Sequence, residues 1–378
     1  MDHPSGPLKL PAGLRPALRA LAGEAARRGV PAFAVGGCVR DWLLGLPTKD
    51  LDIVLESDPA PWARLCAARL GGRAEAFDRF GTFRVLAPGG LRLDFARART
   101  ESYSAPAALP VVRPATLRRD LERRDFAINA MAAPIAGAGL GALVDPLGGL
   151  EDLRRRVVRV LHPASFEDDP TRLYRAARFC ARFAFRLEPA TARLARRAVA
   201  GRAPGLLSRE RLRAELWRIL EEKDPAAALA LARSWGLTRF WRERFRWPAG
   251  LRAAADPLER LILIALAMGP AAGADFVRSL NLERPHSQAA LAALETARRR
   301  ASPRAELPAQ ARAALERFLR KPKASTTALL VGGADLSALG LPPGPRFAEE
   351  LDRAARAQWA GRFTTRAGAL RWLRRNVL

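Results

Sequence analysis

The spacing of hydrophobic residues changes near residue 150 of this chain. Before that point, segments with helical spacing alternate with short segments in which every second residue is apolar. Helical spacing marks PALRALAGEAARRG, DWLLG and APWARLCAARLGG, whereas AFAVGG, LDIVLE, FGTFRVLAP and GLRLDFARA have the period-two pattern of β-strands. The turn residues Pro88, Gly89 and Gly90 join the last two strands. The pattern predicts an α+β head with a mixed sheet over residues 1–147.

The remainder of the chain carries almost only helical spacing. TRLYRAARFCARFAF, SRERLRAELWRILEE and DPLERLILIALAM repeat apolar residues at i, i+3 and i+4, which is typical of amphipathic helices. Glycine and proline residues interrupt this region at 201–205, 248–250 and 332–345. We therefore expect an α+β head followed by an all-helical arm.

Two aspartates lie two residues apart at the start of the predicted strand LDIVLE. Successive strand residues point to opposite faces, so Asp50 and Asp52 share one face. Leu51, Ile53 and Leu55 then face the core. Because neighbouring carboxylates repel unless a cation lies between them, the pair predicts a catalytic divalent-metal site. Two Mg²⁺ ions there would activate an attacking 3′-hydroxyl and stabilise a departing pyrophosphate.

A glycine pair and an arginine precede this strand. Gly36 and Gly37 open a turn in which backbone N–H groups can approach a phosphate at the start of a helix. Arg40 and Asp41 follow, where they are expected to bind phosphate and brace the loop. A phosphate-binding turn combined with metal-binding carboxylates indicates a nucleotidyltransferase. The alternative is an ordinary strand–turn–helix unit with two solvated aspartates.

A further carboxylate, Asp94, lies in the predicted strand GLRLDFARA. One interpretation makes it a third carboxylate of the metal site, on the strand next to LDIVLE. The other makes it a buried ion-pair partner of Arg97 or Arg99. The sequence does not decide between the two.

The segment RRDFAINA, residues 123–130, combines arginines with polar residues. Arg123 and Arg124 are expected to bind phosphate oxygens through two N–H groups each. Asp125 and Asn129 are four residues apart, hence on one face of a helix, where they can hydrogen-bond a ribose. The alternative is a helix N-cap at Asp125 with solvated arginines.

The segment FEDDPTRLYRAARF places a carboxylate and a guanidinium on one helix face. Asp169 accepts hydrogen bonds and Arg172 donates them, so together they match a base edge with an amine beside a ring nitrogen. Cytosine and adenine have that edge, whereas uracil and guanine present a carbonyl instead. Arg175 and Arg178 on the same helix are expected to bind the nucleotide too. The alternative is that Asp169 caps the helix before Pro170 and therefore reads no base.

Basic residues strongly outnumber acidic ones. The 378 residues include 64 lysines and arginines, of which only five are lysine, against 38 acidic residues, for a net charge of +26. This surface predicts a polyanionic partner such as RNA or DNA, with charge kept for solubility as the alternative. A hydrophobic content of 49% indicates a globular protein, and the length predicts several domains.

Cysteine use and hydropathy indicate the compartment. Cys38, Cys66 and Cys180 lie among apolar residues without the spacing of a zinc site, which predicts a reducing environment. No signal peptide is recognisable, and the longest apolar stretch, LILIALAM, is far short of the ~20 residues that a membrane span needs. We expect a cytoplasmic protein that does not bind membranes.

Four motifs occur in an order that resembles one family. VGGCVRDWLLGLPTKDLDIVL, RRDFAINA, DDPTR and SRERLRAEL together look like the class II tRNA nucleotidyltransferase/poly(A) polymerase family. The resemblance is strong over residues 30–240 and weaker over LVGGADLSALGLPPGP and WAGRFTTRAGAL. It implies a seahorse-shaped α+β protein with a nucleotidyltransferase head (1–147), a base-selecting neck (148–205), a body (206–300) and a tRNA-binding tail (301–378).

The resemblance also implies an activity and its residues. It implies template-independent addition of C and A, from CTP and ATP with two Mg²⁺ ions, to the 3′ end of a tRNA recognised by shape and phosphates. No DNA partner is expected. The implied roles are metal binding and catalysis for Asp50 and Asp52, ribose and triphosphate binding for Arg124, Asp125 and Asn129, base selection for Asp169 and Arg172, and support of the base-selecting helix for Glu210 and Arg211.

Some positions depart from the family pattern. Asp168 stands where the base-selecting motif usually has glutamate, Ala127 replaces a usual threonine, and Gly344–Ala348 differs from the usual GPxxG of the tail. Bacterial poly(A) polymerases carry a GRRF-like sequence at the position of segment 79–84. This chain lacks it and in that respect resembles the tRNA branch of the family. The segment 101–121 has about the full length of a loop that enzymes stopping after CC have shortened.

Several functions remain open at this point. A complete CCA-adding enzyme, an A-adding or CC-adding specialist and a poly(A) polymerase share this framework. A different class is a basic, helical RNA-binding protein with an inactive head. The intact pair Asp50 and Asp52 argues against that class, because an inactive head has no reason to keep two adjacent charges.

Overall fold

The computed structural model describes residues 12–48, 50–76, 81–254, 256–299, 306–319, 330–341, 345–359, 362–363 and 365–376. Arg79 and Phe80 of the segment 79–84, and Gly344 of the tail motif, lie outside these residues. Contacts divide the chain into two units, Met1–Leu206 and Leu207–Leu378. The division into head, neck, body and tail stays a prediction.

The described strands all belong to the first unit. They are β1 (Ala32–Val35), β2 (Asp50–Leu55), β3 (Arg73–Ala76), β4 (Phe83–Ala87), β5 (Leu91–Arg97), β6 (Arg99–Ser102), β7 (Val111–Pro114), β8 (Ala132–Ala136), β9 (Gly139–Leu140), β10 (Val157–Val158) and β11 (Arg186–Leu187). The α-helices of this unit are α1 (Arg15–Arg28), α2 (Gly37–Leu43), α3 (Ala60–Leu70), α4 (Leu117–Glu122), α5 (Gly149–Arg154), α6 (Ser165–Asp168), α7 (Thr171–Phe183) and α8 (Pro189–Ala200).

A seven-stranded mixed sheet has the strand order β3-β4-β5-β2-β1-β8-β9. Strands β2 and β5 are parallel, whereas the other neighbouring pairs are antiparallel. A parallel pair needs a crossover connection, which α3 provides together with β3 and β4. Within the described residues, the sheet confirms the predicted α+β head and a strand in each of the segments predicted at 32–37, 51–56, 80–88 and 90–98.

Alternation along β2 separates its two faces as predicted. Leu51, Ile53 and Leu55 are almost completely buried. Asp50 and Asp52 occupy the alternate positions, where Asp50 is exposed and Asp52 is half-buried. Helices α1 and α3 pack against each other and against the sheet, which completes the apolar layer. The carboxylates of Asp50 and Asp52 thus lie on the face of β2 opposite to the apolar core.

The segment RRDFAINA is not an α-helix, so the predicted helix is wrong, and so is the alternative that makes Asp125 a helix N-cap. Helix α4 ends at Glu122, and only residues 127–129 form a short 3₁₀ turn. Phe126 forms an antiparallel bridge with Val160, and Ala127 N donates to Arg159 O at 3.0 Å. Phe126 is therefore extended, with φ of −139° and ψ of 151°, and this residue interrupts any helix between α4 and the 3₁₀ turn.

The second unit is helical in its described residues. Its helices are α9 (Arg209–Leu220), α10 (Pro225–Ser234), α11 (Thr238–Trp241), α12 (Pro257–Met268), α13 (Pro270–Ser279), α14 (Arg284–Arg298), α15 (Ala309–Leu319), α16 (Gly333–Ala338), α17 (Pro345–Trp359) and α18 (Arg366–Asn376). The N-caps Ser208 and Asp256 begin α9 and α12, both of which the sequence predicts. Helix α12 is buried along nearly all its length between α13, α14 and α15. Among the described helices, none combines the length and the apolar character that a membrane crossing requires.

Candidate active site

A cavity of about 580 Å³ in the first unit collects most of the predicted site residues. Residues of α2, β2, β5, the RRDFAINA segment and α7 line it, although they are far apart in the sequence. The lining residues are Gly37, Arg40, Asp52, Arg92, Glu101, Tyr103, Arg123, Arg124, Asp125, Asn129, Asp169, Arg172, Arg175, Arg178 and Phe179. Gly36, Asp50, Asp94 and Asp168 are not among them.

Three strands place a row of charged side chains across the sheet. The register sets Asp52 of β2 beside Asp94 of β5, and Asp94 beside Arg84 of β4. Arg84 binds Asp94 through two hydrogen bonds, Nε to Oδ1 at 2.7 Å and NH2 to Oδ2 at 2.9 Å. Asp94 is therefore the partner of Arg84, so the alternative that pairs it with Arg97 or Arg99 is wrong. Its role as a third carboxylate of the metal site stays a prediction. Arg92 NH2 lies 3.0 Å from Asp50 Oδ2.

The environment of Asp52 fits a cation. Burial raises the pKa of Asp52, Arg124 opposes the rise, and Asp94 and Asp50 add to it. Among the described residues, no three histidine, cysteine or acidic side chains converge closely enough to hold a metal by themselves. Mg²⁺ usually takes only one or two protein carboxylates and completes its shell with water and substrate phosphates. Asp50 and Asp52 suit that mode of binding.

The two glycines have different environments. Gly36 has a φ of +75°, and a Cβ there would lie 2.4 Å from Arg124 NH1. A Cβ on Gly37 would lie 3.5 Å from Arg40 NH2, which is ordinary contact. Gly36 is therefore required by its backbone conformation and by the approach of Arg124. Both glycines stay predicted phosphate-binding residues, of which Gly37 lines the cavity.

Arg40 connects α2 to the rest of the site. Its guanidinium lies 5.1 Å from the ring centre of Phe179 and 4.8 Å from that of Phe183. It donates to Asn129 Oδ1 and, through Nε and NH2, to Asp41 Oδ1. These contacts make Arg40 a brace between α2 and α7, and its phosphate-binding role stays a prediction.

The two arginines of RRDFAINA share one buried carboxylate. Arg123 Nε and NH2 donate to Asp120 Oδ1, and Arg124 NH2 donates to Asp120 Oδ2 at 2.9 Å. Burial favours a higher pKa for Asp120, but the charges of Arg124 and Arg123 outweigh it and lower that pKa. Arg123 also binds Glu101 at 2.5 Å. Arg124 Nε is buried and has no hydrogen-bond partner among the described residues, so it is the donor better placed to bind an added anion.

Asp125 and Asn129 are bound to each other and to arginines. Asn129 Nδ2 donates to Asp125 Oδ1 at 2.9 Å, and Arg175 donates to Asp125 Oδ2 from Nε at 2.8 Å and NH2 at 2.6 Å. Burial alone would raise the pKa of Asp125, but Arg175 and Asn129 lower it to about 2. The predicted proximity of Asp125 and Asn129 is correct although the predicted helix is not. Their contact with a ribose stays a prediction.

The two proposed base-reading residues both reach the cavity. Asp169 Oδ1 accepts hydrogen bonds from Thr171 N at 3.0 Å and Thr171 Oγ1 at 2.6 Å. These contacts tie Asp169 to the start of α7, and its base-reading role stays a prediction. Arg172 is buried and donates to Ser165 Oγ at 2.7 Å and to Arg123 O at 3.0 Å.

Other predicted residues have local partners. Arg178 is buried beside Phe179, with 4.8 Å between its guanidinium carbon and the ring centre. In the second unit, Glu210 accepts from Asn281 Nδ2 at 3.4 Å, and Arg211 N donates to Ser208 Oγ at 3.3 Å. The supporting roles of Asp168, Glu210 and Arg211 stay predictions.

Sequence reasoning missed four cavity residues, Arg92, Glu101, Tyr103 and Phe179. Arg92 alternates with Asp94 along β5, so the strand period places it on the same face as the carboxylates. Glu101 and Tyr103 begin a segment judged only by its length. Tyr103 donates to Glu101 Oε2 at 3.2 Å, and burial, partly opposed by Arg172, raises the pKa of Tyr103 to about 12. No sequence signal identified that contact.

The second unit has a basic cavity of its own. It measures about 670 Å³ and includes the aromatic side chains of Phe240 and Trp241. The arginines that line it are Arg209, Arg239, Arg242, Arg244, Arg246 and Arg362. Against these six arginines, the described lining residues include one acidic side chain, that of Glu243. The cavity therefore carries a strong positive potential.

Comparisons with known proteins find similar proteins over parts of the chain. Residues 32–159 match the model of the poly A polymerase head domain. The A-adding tRNA nucleotidyltransferase of Geobacter sulfurreducens is 41% identical over 211 residues, which are 56% of this chain and 24% of that protein. The A-adding tRNA nucleotidyltransferase of Halalkalibacterium halodurans is 42% identical over 215 residues, 56% of this chain and 50% of that protein.

A solved structure matches over a greater length. A CCA-adding enzyme in complex with ATP is 26% identical, with a TM-score of 0.64, and the match covers 98% of this chain and 95% of that chain. By contrast, the chain spans half or less of the length of the two relatives above. The similarity to those relatives is thus confined to 56% of this chain.

Proposed function

We propose that the chain is a member of the class II tRNA nucleotidyltransferase/poly(A) polymerase family and adds C and A to the 3′ end of tRNA without a nucleic-acid template. The 3′-hydroxyl of the RNA attacks the α-phosphate of CTP or ATP, and pyrophosphate leaves. The observation that carries the proposal is one cavity lined by both Asp52 and the pair Asp169 and Arg172. A carboxylate suited to a metal and a pair suited to a base edge thus line the same cavity.

The acidic residues of the site are assigned to the metal ions and the buried arginine to the triphosphate. Asp50 and Asp52 would hold the metal ions, since both lie on the polar face of β2. When bound, Mg²⁺ supplies positive charge that activates the hydroxyl and stabilises the leaving pyrophosphate. The buried Nε of Arg124 donates to a triphosphate oxygen, which gives this N–H a partner.

Base selection follows from hydrogen-bond direction. An amine of cytosine or adenine donates to Asp169, and the neighbouring ring nitrogen accepts from Arg172. Uracil and guanine present a carbonyl to the carboxylate, which leaves polar groups unpaired in the cavity. Because Arg172 is buried, that mismatch is not relieved by bulk water.

The partner is tRNA in this proposal. The relatives at 41% and 42% identity are named tRNA nucleotidyltransferases. The arginine-lined cavity of the second unit suits phosphates of an RNA backbone, and the net charge of +26 favours a polyanion. All three cysteines are free and buried, which suits the reducing cytoplasm that we propose as the location.

A second candidate function is addition of the terminal A alone. It is favoured by the names of the two relatives above, both A-adding enzymes. The two candidates use the same cavity and differ in whether CTP is accepted.

Nucleotide incorporation tests both candidates. The full chain is incubated with Mg²⁺ and each labelled nucleotide on tRNAs lacking three, two or one of the 3′ residues. Addition of C, C and A in order supports the complete activity, whereas use of ATP on the CC-ended tRNA alone supports the A-adding enzyme. Absence of incorporation on every tRNA contradicts both.

A further inference from the structure

The guanidinium of Arg172 is held by three groups of the protein. Arg172 NH1 donates to Ser165 Oγ at 2.7 Å and contacts His162 Nε2 at 3.4 Å, and NH2 donates to Arg123 O at 3.0 Å. A guanidinium has five N–H groups, so these contacts leave two for a base. Which two remain is decided by Ser165, His162 and the Arg123 carbonyl.

His162 lies between two residues of the base-selecting motif. Its Nδ1 is 3.9 Å from Asp168 Oδ2, and its Nε2 faces Arg172. An acceptor at Nε2 requires the neutral ring with its proton on Nδ1, on the side of Asp168. Burial and then the charge of Arg172 lower the pKa of His162, with Asp168 opposing, which favours that neutral form.

A second, smaller cavity of the first unit gives His162 access to Arg172. It measures about 260 Å³ and is lined by His162 and Asp168. The residues that it shares with the 580 Å³ cavity of the candidate active site (the nucleotide cavity) are Glu101, Tyr103, Arg123 and Arg172. Arg172 therefore stands in the wall between the two cavities. A group that fixes it from the smaller cavity controls what it presents to the larger one.

We propose that His162 and Ser165 are positioning residues that fix the orientation of the Arg172 guanidinium and thereby the preference for C and A. The proposal rests on the proposed function. Neither residue touches the nucleotide cavity, so their effect passes through Arg172 alone. Loss of either contact lets the guanidinium rotate, and a rotated guanidinium accepts a base edge with a carbonyl in place of the amine.

The test compares base preference in variants that change one contact. The full chain carrying His162→Phe or Ser165→Ala is assayed for kcat/KM with CTP, ATP, UTP and GTP on a truncated tRNA. The expected result is a loss of about tenfold or more in the preference for CTP and ATP. KM for these nucleotides rises more than kcat falls, because the metal-binding carboxylates are unchanged. His162→Gln, which offers an amide oxygen in place of Nε2, restores most of the preference.

Controls separate positioning from general damage. His286→Phe makes the same change at a half-buried histidine stacked on Trp217 in the second unit, and it leaves the preference unchanged. Ser165 is fully buried, so if Ser165→Ala fails to fold, the half-exposed His162 still carries the test. An unchanged preference in folded His162→Phe overturns the proposal.

A binding measurement distinguishes this proposal from the proposed function. Equilibrium affinities for CTP and UTP are measured without RNA in the wild type and in His162→Phe. A wild type that incorporates no nucleotide contradicts the proposed function, yet the ratio of the two affinities still decides the role of His162. A ratio reduced in the variant supports positioning, and equal ratios in the two proteins overturn it.

Discussion

Arg124 occupies the space that a side chain on Gly36 would need. The Cβ of an alanine at position 36 would lie 2.4 Å from Arg124 NH1, closer than nonbonded atoms approach. Arg124 in turn is anchored on the buried carboxylate of Asp120. The turn before α2 and the RRDFAINA segment are thus built against one another, and a substitution in one displaces the other.

Gly36→Ala should destabilise the protein and displace Arg124. Gly36 has φ of +75° and ψ of −127°, a conformation that alanine adopts only with strain, and the clash adds to it. We expect a loss of about 2–3 kcal/mol in the free energy of unfolding, measured by denaturant titration. Gly45→Ala is the control, because Gly45 has φ of +70° but open space around its Cβ. Equal losses in both variants contradict a role for the Arg124 contact.

Asp52→Asn should abolish nucleotide incorporation while RNA binding persists. The amide keeps the shape of the side chain but removes the charge that would hold Mg²⁺. We expect the activation barrier of incorporation to rise by ~4 kcal/mol in Asp52→Asn, which lowers the rate by about a thousandfold. Glu75→Gln, which removes an exposed carboxylate from β3 of the same sheet, should have little effect. Comparable activity in wild type and Asp52→Asn would refute the metal assignment.

Arg175→Met should destabilise the first unit by about 2 kcal/mol, because it leaves the buried Asp125 without its two hydrogen bonds from the guanidinium. The estimate lies below the range for fully buried pairs because Arg175 is 30% exposed. Arg197→Met breaks a pair with Glu167 in which both side chains are exposed, so it should cost less than about 1 kcal/mol. Thermal or denaturant unfolding measures both, and similar losses would contradict the assigned burial effect.

Acid should remove the stabilisation that Asp125 provides. The pKa of Asp125 is lowered from 3.8 to about 2 in the folded protein, so the native state favours the charged carboxylate. That contribution is present above pH 3.8 and is lost as the pH falls toward 2. The free energy of unfolding of the wild type should therefore decline over this range more steeply than that of Asp125→Asn. Parallel declines would show that Asp125 does not contribute.

Removing arginines from the second cavity should weaken RNA binding and its dependence on salt. An arginine that binds one phosphate adds about 1 to the slope of log affinity against log salt, so Arg244→Ala with Arg246→Ala should lower that slope by about 1–2. Arg64→Ala with Arg69→Ala is the control, since it removes two exposed arginines from α3. Equal slopes in the two double variants would mean that binding depends on total charge alone.

Local patterns predicted the elements well wherever one periodicity dominates. The strand over LDIVLE follows from alternation, and the helices α9 and α12 follow from helical spacing. The prediction failed at RRDFAINA, whose spacing of four residues suggested a helix. There the bridge to Val160 keeps Phe126 extended, and a local pattern cannot reveal a partner 34 residues away.

The sequence by itself determined that Asp50 and Asp52 share one face of a strand, and the order of its motifs indicated the family. Both depend on spacing within short segments, which backbone geometry fixes locally. The tertiary structure decided the partners: Asp94 pairs with Arg84 because three strands align in register, and Arg175 reaches Asp125 because α7 packs against the RRDFAINA segment. Such pairings depend on long-range packing, so only the folded chain determines which charges stay available to a ligand.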